Sequence, residues 1–219
     1  MPTALVTGAN RGIGLELARQ LKDGGWDVIG VCRSSSPELA AIAEVWDGID
    51  VADDGCGAAL RSKLGSRSID LLINNAGVLK HQPLDALVWD DLRLQYEVNS
   101  LGPLRVTQAV APNLASGAKV AIVTSRMGSI ADNTSGGAYG YRMSKAAVNI
   151  AGVSLAHDLK GQGVAVVLLH PGWVQTGMTG GRGHVTAAQA AAGLLARIDE
   201  LTLATSGSFH HAQGEELPW

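Results

Sequence analysis

Tyr141 and Lys145 stand four residues apart in the stretch Tyr141-Arg142-Met143-Ser144-Lys145. On a helix that spacing puts both side chains on one face. An ammonium beside a phenol favours the phenolate, so it lowers a pKa that starts near about 10. The hydroxyl then becomes a proton donor or acceptor usable near neutral pH. Such a pair also arises by chance on lysine-bearing helices, so its meaning depends on its surroundings. Ser125 precedes Tyr141 by sixteen residues. Its hydroxyl could hold a substrate oxygen while Tyr141 delivers a proton to it. Tyr139 is the competing phenol, but Met143 occupies the position where its lysine would stand. It is read as pocket wall or packing.

A second chemical stretch lies near the start, Thr7-Gly8-Ala9-Asn10-Arg11-Gly12-Ile13-Gly14. It follows an apolar β run and opens a helix with Ile13, Leu17 and Leu21 on one face. Glycines let backbone approach a ligand closely, and a helix N-terminus offers free N–H groups to a pyrophosphate. The spacing is Gly-x-x-x-Gly-x-Gly, which differs from the commoner dinucleotide fingerprint.

The elements that must bring these two stretches together follow from alternation. Strands are expected at 3–7, 27–32, 45–49, 69–73, 119–125, 164–170 and 207–211. Helices are expected near 12–23, 37–44, 53–64, 84–115, 139–160 and 186–199, with Thr186 as an N-cap. Runs such as Leu71-Leu72-Ile73 and Val120-Ala121-Ile122-Val123 are apolar without alternation. That pattern suits parallel strands covered on both faces. The expectation is an α/β protein over 1–219: a single-domain Rossmann fold, with a doubly wound seven-stranded parallel sheet and helices on both faces. In such a sheet the strand ends converge on one crevice. The glycine-dense stretch 172–185 is expected to be the mobile loop.

Read together, these motifs resemble the short-chain dehydrogenase/reductase family. Its nucleotide turn is matched by Thr7 to Gly14, and further pieces fall in the family's order. They are Asn74-Asn75-Ala76-Gly77 after strand 4, Asn99 in the long helical region, Ser125, Tyr141 with Lys145, and Pro171-Gly172 with Thr176 beyond. The similarity spans essentially the whole chain. Within the family the chain is most similar to C-factor-like and sniffer-type carbonyl reductases. Ser125 to Ile130, Pro171 to Thr176 and Gly207 to Trp219 carry that finer resemblance, although Gly177 stands where an Asp is expected.

The resemblance implies a catalytic set of Asn99, Ser125, Tyr141 and Lys145. Asn99, by side chain or backbone, would hold a water that relays protons to Lys145. Lys145 would also bind the nicotinamide ribose. Cofactor contacts are implied at Gly8, Asn10, Arg11, Gly12, Ile13 and Gly14. Asp50 and Val51 would lie near the adenine, and Asn75, Ala76 and Gly77 on the ribose side. Pro171, Gly172, Val174 and Thr176 complete the contacts, with Thr176 toward the carboxamide. Trp173 and Met178 are candidates for an apolar pocket wall.

Strand 2 ends Val31-Cys32-Arg33-Ser34, with no acid to bond a ribose 2′-hydroxyl. Arg33, and Arg11 from the glycine turn, would instead pair with a 2′-phosphate. NADP(H) is therefore expected in preference to NAD(H). A charge-assisted hydrogen bond contributes roughly 1.5–3 kcal/mol, a preference of roughly tenfold to over a hundredfold.

The expected activity is reversible reduction of an aldehyde or ketone to an alcohol. The alternative is a nucleotide-binding signalling protein of the C-factor type on the same scaffold. Bulk properties remove other classes. Net charge is −3, with no basic stripe for nucleic acid. Apolar runs have strand length, too short for a bilayer, and the first residues enter a strand without a leader pattern. Cys32 and Cys56 are far apart, which suits reduced thiols in a cytoplasmic protein. His210 and His211 would point to opposite faces of a strand, so no metal site is expected. Ala146, Ala147, Ile150, Val153 and Leu155 on the Tyr141 helix suggest a homodimer or homotetramer paired there.

Overall fold

The computed structural model describes all 219 residues. Seven strands form one sheet in the order β3-β2-β1-β4-β5-β6-β9, and every neighbouring pair is parallel. They are β1 (Thr3–Thr7), β2 (Asp27–Val31), β3 (Glu44–Trp46), β4 (Ile69–Asn74), β5 (Leu114–Val123), β6 (Ala165–His170) and β9 (Ser208–His211). β1 lies between β2 and β4, so the strand order reverses there. Parallel strands need crossovers, and helices supply them on both faces. α1 (Gly12–Asp23) and α7 (Ala187–Glu200) pack on one face, with Leu17, Leu21, Leu194 and Ile198 in the core. α3 (Cys56–Leu64), α5 (Gly102–Val110) and α6 (Tyr139–Lys160) cover the other, with Leu60, Val106 and Val148 buried. The doubly wound expectation holds.

Several boundaries differ from the sequence reading, for identifiable reasons. The helix expected over 84–115 is broken. α4 (Trp89–Tyr96) runs into a π-turn at Glu97–Leu101 before α5 begins. Pro103 has no N–H, so it cannot give the carbonyl of Asn99 its usual helical bond. Gly102 donates back to Glu97 instead, across the wider turn. Helix α2 is only Pro37–Ala40, capped by the Ser36 hydroxyl, because β3 already starts at Glu44. β3 stops at Trp46, before Gly48 turns the chain with φ +70°. Asp50 and Val51 therefore lie beyond the strand. β5 ends at Val123, two residues before Ser125. On α6, Leu155 is buried in the core rather than presented to a partner helix, while Ile150 is exposed.

The glycine-dense stretch after β6 is held by structure of its own. Its strands β7 (Val174–Gln175) and β8 (Val185–Thr186) pair in parallel. Thr186 caps α7 as expected, exchanging hydrogen bonds with Gln189.

Candidate active site

The turn after β1 shows why glycine is required there. Gly8 and Gly12 have φ of +64° and +56°, the left-handed region that side chains disfavour. A Cβ on Gly14 would sit 2.2 Å from the Gly8 carbonyl oxygen. The turn is braced from the next strand. Thr7 Oγ1 accepts from the N–H groups of Asn75 and Ala76, at 3.0 and 3.1 Å. The Asn75 amide donates to the Thr7 carbonyl at 3.0 Å. Arg11, at the N-cap of α1, provides no side-chain cap. The first N–H groups of the helix are left for another acceptor.

A groove of about 590 Å³ runs across the C-terminal ends of the strands, from this turn to Tyr141 and Lys145. Gly8, Asn10, Arg11, Gly12, Ile13 and Gly14 line one end. Arg33, Asp50 and Val51 form an adjoining wall, and Asn75, Ala76 and Gly77 border the middle. Pro171 and Thr176 close the far side with Met178. Backbone donors at a helix start, glycines without side chains and a cation beside them suit a pyrophosphate-bearing ligand.

Two expected contacts are not on the groove wall. Gly172 (φ +89°) turns the chain against His211, and the Val174 side chain is buried in β7. Trp173 also faces elsewhere, packing edge-on against His184 with centroids 4.8 Å apart. Tyr139 does not line the groove either. Conversely, Val78, Leu79 and Lys80 border it, none of them a contact that the sequence singled out by residue. They form an irregular loop after β4, and nothing in their types or spacing marks them.

Arg33 Nη1 lies 3.7 Å from Asp50 Oδ2, with both side chains largely exposed. An exposed pair contributes roughly 0–1 kcal/mol. The guanidinium is thus steered over the groove yet readily released to a stronger anion.

At the other end, Tyr141 and Lys145 project from one face of α6, both buried. Lys145 Nζ lies 5.7 Å from the centre of the Tyr141 ring and donates to the Val123 carbonyl at 2.9 Å. Burial pushes the Tyr141 phenol up to about 12, while a hydrogen bond from Ser125 pulls the other way. Burial pushes the Lys145 amine down to about 8. The expectation that the lysine lowers the phenol's pKa is not met here. Desolvation of the phenol outweighs the Ser125 hydrogen bond, and the Lys145 amine is itself desolvated. Ser125 is buried at the start of a short turn, where its Oγ accepts from the Met127 N–H at 3.1 Å. Asn99 is fully buried. Its Oδ1 accepts from the Val78 N–H at 2.8 Å, and its Nδ2 donates to the Val78 carbonyl at 2.9 Å.

A family model for short chain dehydrogenases matches residues 2–186. The chain belongs to the short-chain dehydrogenase family, a family of oxidoreductases. Over its whole length this short-chain dehydrogenase is 47% identical to a 1-hydroxy-2-glutathionyl-2-methyl-3-butene dehydrogenase of Rhodococcus sp. strain AD45, all of which it covers. It is 51% identical to the C-signal protein of Myxococcus xanthus, across 69% of this chain and 93% of that one. Among solved structures, an NADPH-bound carbonyl reductase from chicken fatty liver superposes with a TM-score of 0.91. It is 31% identical, with 100% of this chain and 99% of that one covered. The finer resemblance to C-factor-like proteins and carbonyl reductases is borne out by these neighbours. No helix of this dehydrogenase is long and apolar enough to cross a membrane.

Proposed function

We propose that this short-chain dehydrogenase uses NADP(H) to reduce an aldehyde or ketone, and to oxidise the alcohol in reverse, with Tyr141 as general acid and base. One observation carries the reading: the buried Tyr141 and Lys145 line the groove that begins at the glycine turn, and Ser125 stands behind them, hydrogen-bonded to the Tyr141 phenol. Bound there, a nicotinamide supplies the hydride. The chain's own residues do the rest. The Ser125 hydroxyl holds the substrate oxygen. Tyr141, a neutral phenol at ordinary pH, gives that oxygen its proton. Lys145, charged below about pH 8, stabilises the phenolate left behind. The Asn99 carbonyl, deprived of a helical bond by Pro103, orders a water toward Lys145.

NADPH consumption against a panel of aldehydes and ketones tests the proposal. Turnover is expected at neutral pH. It should fall above about pH 8, because the Lys145 amine then loses the charge that supports the phenolate. Rates that rise steadily through that range would contradict the assigned roles. The panel should include glutathione-bearing carbonyls. The Rhodococcus relative is named for a glutathionyl substrate, and Lys80 offers an exposed cation on the groove wall.

Cofactor choice rests on Arg33. Arg33→Ala should weaken NADPH binding by tenfold or more and leave NADH binding unchanged. Equal losses for the two cofactors, or none, would remove the phosphate contact from the account. The signalling reading has its own support in the C-signal relative. It predicts tight NADPH binding with no turnover. Buried, unpaired Cys32 and Cys56 suit a reducing cytoplasm, and the exposed Met143 and Ile150 on α6 suit a homo-oligomer.

A further inference from the structure

Ser144 stands between Tyr141 and Lys145 in sequence, fully buried, and its side chain does not reach the groove. Its hydroxyl nevertheless has a partner on each side, one within the helix and one outside it. It donates to the Tyr141 carbonyl at 2.8 Å and accepts from Asn99 Nδ2 at 3.0 Å. Asn99 uses its remaining capacity on both the N–H and the carbonyl of Val78, a groove residue. The Ser144 carbonyl in turn accepts from the Ser100 hydroxyl at 2.7 Å. The wide π-turn at Glu97–Leu101 lets consecutive residues, Asn99 and Ser100, both reach the same residue of α6.

Three segments that face the groove therefore meet at one serine: the loop after β4, the π-turn and the first turn of α6. The other flank of α6 is closed as well. A Cβ on Gly128 would lie 2.7 Å from the Lys145 carbonyl carbon, so backbone packs directly against that turn. With Gly128 on one side and Asn99 on the other, α6 has one seat. The Ser144 hydroxyl links that seat to the loop bordering the groove. An aliphatic residue at 144 would fill similar space but break the link, leaving the Asn99 amide with Val78 alone.

We propose that Ser144 is a positioning residue. Its hydroxyl sets the Tyr141 phenol in register with the Val78 wall of the groove, through Asn99. The inference rests on Tyr141 being the proton donor of the proposed reduction, since without that role the register has no chemical consequence. A misplaced donor affects the chemical step more than ground-state binding.

The test is Ser144→Ala, read two ways. One reading is NADPH-dependent carbonyl reduction by the full-length enzyme. The kcat should fall about tenfold, with the KM for NADPH within twofold of wild type. The other is amide hydrogen exchange at Val78, which needs no turnover. Release of Asn99 should speed that exchange about tenfold, with amides of β1 and β6 unchanged. Wild-type kcat, or wild-type exchange at Val78, would overturn the proposal. A uniform rise in exchange across the sheet would also overturn it, because Ser144 would then serve general stability. If the wild-type protein reduces no carbonyl, the reductase reading fails separately. The Val78 exchange still decides whether the link exists.

Discussion

Tyr141→Phe should lose NADPH-dependent carbonyl reduction by a factor of roughly a thousand, within the range of about 10²–10⁴ for a general acid. The substitution removes one oxygen from a buried ring whose partners are Ser125 and the Lys145 flank. No bulk is added, so the groove keeps its shape. NADPH titrated by fluorescence should bind within about twofold of wild type, since the glycine turn lies at the far end. The neighbouring phenol is the internal control. Tyr139 does not line the groove and has Met143 where Tyr141 has Lys145. Tyr139→Phe should stay within a few-fold of wild type. A dead Tyr139→Phe beside an active Tyr141→Phe would reverse the assignment.

The second large effect is expected at Gly14. A methyl group there would lie 2.2 Å from the Gly8 carbonyl oxygen and 2.5 Å from the Asn75 amide nitrogen. The first of these is backbone, so relief requires α1 to move away from the turn. Overpacking costs typically about 1–3 kcal/mol, and a rigid backbone contact belongs at the upper end. Gly14→Ala should lower the melting temperature by about 6–12 °C, at about 2–4 °C per kcal/mol for a chain of this size. Moving the helix start also displaces its N–H groups, so NADPH affinity should fall more than a hundredfold. Gly12→Ala should be milder. Its left-handed φ is unfavourable, but the nearest atom, a methyl of Thr176, would be 3.6 Å away. Thermal unfolding and cofactor titration on both variants check this ranking, which equal losses would contradict.

Local chemistry was the legible part of this sequence. Tyr141 with Lys145, and Gly8 with Gly12 and Gly14, sit within single turns, so spacing alone places them correctly. Strand identity was legible too, because a strand buried on both faces must be apolar throughout. Ends were less so. Asp50 and Val51 reach the groove from beyond β3, and Ser125 reaches the Tyr141 phenol from beyond β5. The π-turn could have been suspected from Pro103, which cannot donate to the Asn99 carbonyl. What remained hidden was non-local. The partners of Asn99 are Val78 and Ser144, 21 and 45 residues away. Spacing has no access to contacts of that kind. Burial has the same character. The neighbour of Tyr141 was readable, but the desolvation that raises its pKa comes from the whole fold.

Hydride transfer itself is the most direct test of the account. NADPH carrying deuterium at its hydride-donating carbon would be incubated with the enzyme and the carbonyl panel. The alcohols would then be weighed by mass spectrometry. The account predicts one deuterium on the former carbonyl carbon of the product from wild type, and about a thousandfold less labelled alcohol in the same time from Tyr141→Phe at matched cofactor saturation. Saturating NADPH binding with no deuterium in any alcohol, or equal labelling by the phenylalanine variant, would contradict it.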